Sequence, residues 1–375
     1  MIKNYKMKMI WRCLMVLVIT SLTFTACKKM DSTYGKFIVP GGITYVGKAT
    51  SPIAYDGKNR VKIIWLRGSD PNATKARIFW NNYADSVEIN IPPVGDTISY
   101  IFDNLAEKSY SFVIKTYDAK GHSSIPVELS STAYGNQYQS SLLSRPVNSS
   151  VLDAKGKITI NWGGADISNG AFETEVKYTD TLGNSKNQFF PISESTSTIS
   201  DLKPGSSYQY RTMFKPDSLS IDEFFTGYSE SGDFSFDKKD WKIAGYSDQL
   251  NTNNAATFII DGIPEATRWH TNGSPYPHWA IIDMGAVRTI TKFGVWRTTV
   301  DPASGDTRAP MRIQFLISMD NITWTDLGSF DFNNLINGEH VYPTPTSPIG
   351  RYFKFVGLAG NNYYMTLGEI SAYGY

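Results

Sequence analysis

The chain has 375 residues, with 36 Lys and Arg against 35 Asp and Glu. That near-neutral balance excludes a strong field for nucleic acid or an acidic surface. Its length allows two or three domains, and its aromatic content of 14% suits β-sheets and sugar-stacking surfaces alike.

The chain opens with Lys3, Lys6, Lys8 and Arg12 and no acidic residue. An apolar run follows from Cys13 to Ala26. A basic stretch and an apolar run of about 14 residues read as a secretory signal over residues 1–26. The run is shorter than the ~20 residues of a spanning helix. Phe24-Thr25-Ala26-Cys27 resembles the lipobox of bacterial lipoproteins, with Phe24 where Leu is usual. The resemblance implies a diacylglycerol on the Cys27 thiol and cleavage before it. Cys13 and Cys27 are the two cysteines, so the processed chain would hold one, at its first position, and no disulfide. Acyl chains, at ~0.8 kcal/mol per buried methylene, would hold it to a membrane. Residues 27–36 then read as a polar tether, and the expected location is the bacterial outer membrane, at the cell surface. An ordinary signal with an incidental cysteine is the alternative.

After residue 30, short alternating runs separated by Gly, Pro, Asn and Asp dominate, which is an all-β signature. Arg60–Trp65, Lys75–Trp80 and Ser86–Ile91 are examples. A repeat is visible. Trp65 and Leu105 are 40 positions apart, as are Trp162 and Leu202, and each Leu precedes a turn, a Tyr (Tyr110, Tyr208) and a strand. This pattern resembles fibronectin type III domains, and the pair resembles the front of Bacteroidota lipoproteins. The resemblance implies two sandwiches, residues 37–140 and 141–232, with both Trp in the core and each Tyr bonding backbone at a corner. Polar Phe225–Asp237 reads as the next boundary.

Residues 238–375 change character. Trp241–Ser247, Asp261-Gly262, Thr267–Thr271, Pro277–Gly285, Phe315–Asp320, Trp324, Arg351–Phe355 and Gly368–Ile370 occur in order. Ala280–Gly285 reads as a buried strand closed by glycine, and Arg312–Ser318 alternates. The domain begins and ends in strands, so its termini can pair. The set resembles discoidin domains, also called coagulation factor (F5/8) type C domains, whose bacterial members include family-32 carbohydrate-binding modules. The resemblance implies a jelly-roll sandwich with ligands on loops at one end.

A sugar needs an aromatic plane and a few polar groups. The positions matching the carbohydrate-binding relatives are His270 and Arg297 for hydroxyls and Tyr364 for the sugar face, and the loop with Asn361, Asn362 and Tyr363 is a further candidate by its position. Competing readings are a strand-end cap for His270, an ion pair of Arg297 with Asp301 or Asp306, and a core role for Tyr364. Trp269, Trp279 and Trp324 read as core. The family also often holds a structural Ca2+. Asp261, Thr267 and Glu369 match its ligands, with one residue more than usual between the first two. The expected function is glycan binding by a surface lipoprotein, without catalysis. No nucleophile motif, zinc-spaced His/Cys set or phosphate loop is present. The alternative is an adhesin or scaffold whose discoidin domain binds a protein or lipid. The polar loop Asp301–Asp306 favours sugar.

Overall fold

The computed structural model describes residues 7, 9–12, 15, 35–39, 41–299 and 307–375. Cys27 and the loop Asp301–Asp306 lie outside the described residues. The protein is all-β, as its alternating runs require. It divides into two compact units, one formed by residues up to Ala54 with Lys62–Ile101 and Ser109–Ser131, the other by Tyr55–Val61, Phe102–Lys108 and Thr132–Tyr375.

In the first unit, the strand Lys75–Trp80 lies antiparallel between Asp85–Asn90 and Lys108–Tyr117. Alternation along it sends Ala76 and Ile78 inward, and Ile78 sits opposite the buried Ile114. Trp65 and Tyr110 are buried, as expected.

The front of the second unit has two sheets. Ala171–Thr179 pairs with Ser185–Pro191 and Tyr208–Phe214 in one, and Ile158–Trp162 pairs with Val147–Leu152 and Thr196–Ile199 in the other. Trp162 and Tyr208 are buried between them. Where the resemblance implied a bond to backbone, the hydrogen bond of the Tyr208 hydroxyl among the described residues is to a side chain. The hydroxyl meets Ser150 Oγ on the opposite sheet at 2.6 Å and so ties the two layers.

The segment read as a polar boundary holds a short strand, Phe234–Phe236. It pairs parallel with Val147–Leu152 and antiparallel with the last strand, Glu369–Gly374. One sheet therefore runs from the second sandwich into the C-terminal one. Phe234 and Phe236 are buried and share a core cluster with residues from Leu152 to Ala372. The three-residue alternation Phe-Ser-Phe suffices: both rings go in and the serine out.

The C-terminal sandwich is organised by one long strand, His278–Trp296. Its first half pairs with Lys242–Tyr246 and Ile349–Ala359, its second with Glu339–Pro343 and Glu369–Gly374. The strand does not end at Gly285. That residue takes φ +74°, and the register shifts between Asp283 and Arg288. A glycine adopts this left-handed conformation without a Cβ clash, so the chain bends and changes sheet instead of stopping. The domain's first strand, Lys242–Tyr246, therefore pairs with the long strand, and Phe234–Phe236 meets the last. Arg312–Ser318 alternates as expected, with Ile313, Phe315 and Ile317 buried. Trp269 is core, whereas Trp279 and Trp324 are half-buried, and Lys354 Nζ lies 4.3 Å from the Trp279 ring centre.

Candidate functional site

The expected ligand end is built on a two-stranded ladder, Trp269–His270 against Thr366–Leu367. Trp269 enters the core, and its indole N–H donates to the Asp248 carbonyl at 2.9 Å. Alternation turns the next residue, His270, the other way. It is 5% exposed. Its Nδ1 lies 2.6 Å from the Thr271 carbonyl, which can only accept, so Nδ1 carries the proton. Nε2 is then the acceptor, and Arg308 donates to it at 3.1 Å. The Tyr364 ring packs edge-on against the imidazole at 5.6 Å between centres.

Below this pair lies His278, fully buried. Its Nδ1 is 3.0 Å from Asp248 Oδ2, and its Nε2 is 2.7 Å from the Tyr363 carbonyl. Asp248 Oδ1 also accepts from the Asn272 amide at 2.7 Å. Met365 N donates to Thr271 Oγ1 at 2.7 Å, and Thr271 N to the Met365 carbonyl at 2.9 Å. The loop Asn361–Tyr364 is thus clamped from beneath, while its side chains stay exposed, Tyr363 at 65%. A Cβ on Gly360 would meet the Tyr276 hydroxyl, so the glycine lets the Tyr276 ring lie close against the start of the loop. Burial pushes the Tyr276 phenol up to about 12.

The structure therefore brings His270 and Tyr364 together, with Asn361, Asn362 and Tyr363 on the adjoining loop. Asn361 Nδ2 reaches the Thr307 carbonyl at 3.4 Å. Tyr364 is exposed, not core. Arg297 is buried beyond the end of the long strand, its carbonyl near Gly368. Its Nε has no hydrogen-bond partner among the described residues. Arg308 and His278 were missed. Arg308 carries no pattern of its own in the sequence, and His278 stands in the Pro277–Gly285 stretch as one of four histidines with no metal-ligand spacing.

The residues expected to hold Ca2+ also meet. Thr267 Oγ1 donates to Asp261 Oδ2 at 2.7 Å, and Gly262 N donates to Glu369 Oε2 at 3.1 Å. Glu369 Oε1, however, is ion-paired with Lys238 Nζ. Burial pushes the Glu369 carboxyl up to about 7, against the pull of Lys238, while Asp261 pushes it further up. A calcium ion wants about six to eight oxygen ligands. Here one carboxylate oxygen is spent on an ammonium, whose charge repels a second cation. As arranged, this donor set does not fit Ca2+. Among the described residues no group of three or more His, Cys, Asp or Glu is placed to hold a metal ion. No described helix is long and apolar enough to cross a membrane.

The fold and this loop arrangement define the class of the C-terminal third: residues 242–370 match the F5/8 type C domain. Residues 27–224 match DUF4998, a domain of unknown function, and the chain belongs to that family. No curated protein matches the chain. Among solved structures, it is similar to the C-terminal domain of a chitobiase from Bacteroides fragilis, with 27% identity, 37% of this chain and 95% of that chain covered, and a TM-score of 0.32. It is also similar to the family 32 carbohydrate-binding module of NanJ from C. perfringens in complex with galactose, with 14% identity, 38% and 98% covered, and a TM-score of 0.33.

Proposed function

We propose that the protein is an exported lipoprotein, anchored through Cys27 to the outer membrane at the cell surface, that binds a glycan at the loop end of its F5/8 type C domain without catalysis. The observation that carries the binding site is the pair of exposed rings, Tyr363 and Tyr364, beside the half-buried His270–Arg308 hydrogen bond. An aromatic ring accepts the C–H face of a sugar, and a guanidinium fork donates to adjacent hydroxyls. His270 orients Arg308 by accepting from it. Asn361 and Asn362 add amides at the rim.

The test is a glycan array probed with the detergent-solubilised full chain. The expected result is binding to a set of related sugars, weakened about tenfold or more in Arg308→Ala, the loss of a charge-assisted hydrogen bond. No binding by the folded protein, with Ca2+ supplied, would replace this reading with a protein or lipid partner. The anchor is tested separately. Cys27→Ser should release the protein from the membrane fraction, and unchanged retention would refute lipidation.

A further inference from the structure

We infer that Lys238 is the built-in cation of this F5/8 type C domain, taking the place of a bound divalent ion. The Glu369 side chain is 2% exposed, and its burial demands a counter-charge. Lys238 supplies it from the turn Lys238–Asp240, directly after the strand Phe234–Phe236 that joins the two sandwiches. Asp237 fixes that turn by accepting from Lys239 N at 2.9 Å. The Lys238 stem is itself mostly covered, 18% exposed, and its ammonium lies 5.8 Å from the Trp241 ring centre. The second Glu369 oxygen holds the turn at Gly262, whose φ is +78°. Asp261 in that turn is exposed and is held by its own segment, accepting from Ile263 N at 2.8 Å and from Thr267 Oγ1. One ammonium thus gathers the joining segment, the Asp261 turn and the last strand, which is the work of a structural metal. An ammonium tied to the backbone cannot be chelated, so the domain's stability is independent of divalent ions.

The experiment is thermal unfolding of the detergent-solubilised full chain, followed by near-UV circular dichroism. The wild type should melt at the same temperature in EDTA and in millimolar CaCl2. Lys238→Met should lower the melting temperature of the C-terminal transition by about 10 °C, the effect of stranding a buried carboxylate. Adding Glu369→Gln to Lys238→Met should restore most of that loss, because no buried charge is then left unpaired. The double variant also covers the case in which Lys238→Met fails to fold. A wild-type melting temperature that falls in EDTA and rises with CaCl2 would overturn the inference. So would a double variant no more stable than Lys238→Met alone.

Discussion

Phe315→Ala is expected to cost the C-terminal sandwich about 3–5 kcal/mol, the usual range for removing a large buried ring. Phe315 is fully buried on the strand Arg312–Ser318. Its ring stacks on Phe293 at 4.1 Å between centres with 5° between planes, and it meets Phe355 edge-on at 5.8 Å. Phe293 belongs to the second half of the long strand, and Phe355 to the strand paired with its first half. The ring therefore fills space between two sheets that the long strand itself joins, and neither can collapse inward without distorting the bend at Gly285. Denaturant unfolding followed by tryptophan fluorescence measures the loss. A change under about 1 kcal/mol would mean that the stacked aromatic cluster is not the core of this domain.

His278→Ala should have the second large effect, about 3 kcal/mol, and it should act on the loop end first. The substitution leaves the Tyr363 carbonyl and one oxygen of Asp248 without their imidazole partner, and each such loss costs about 1–3 kcal/mol. Without the clamp, Asn361–Tyr364 detaches from the Trp269–His270 ladder, and binding at the rings should fall with it. His278→Gln retains a donor toward Tyr363 and should recover part of both losses. Hydrogen exchange of the Tyr363–Met365 amides reports the loosening directly. Unchanged protection in His278→Ala would show that the histidine is only core filling.

These two expectations rest on residues that were unequally visible in the sequence. Phe315 lies in an alternating run, where period two alone sends it inward. Trp65, Trp162, Tyr110 and Tyr208 were legible in the same way, through a repeat whose spacing a sandwich core imposes. His270 and Tyr364 were legible through the ordered anchors around them. His278 was not, because a buried histidine differs from an exposed one only in its partners, Asp248 and Tyr363, which are 30 and 85 positions away. Arg308 was hidden for the same reason, since its meeting with His270 depends on how strands separated by 38 positions come together. Lys238 was hidden because a lysine beside polar Ser, Gly and Asp reads as a linker, and only the buried Glu369, 131 positions on, gives it a role. Local patterning thus specifies faces and strands, while long-range pairing specifies which polar groups meet.

Titration calorimetry of the full chain with its strongest array ligand, beside Tyr364→Ala and His270→Ala, tests glycan binding at this loop end most directly. The proposed site predicts a one-to-one complex in the wild type, with affinity at least about tenfold weaker in each variant while near-UV circular dichroism stays unchanged. Wild-type affinity in both variants would place the ligand elsewhere on the molecule and contradict the site.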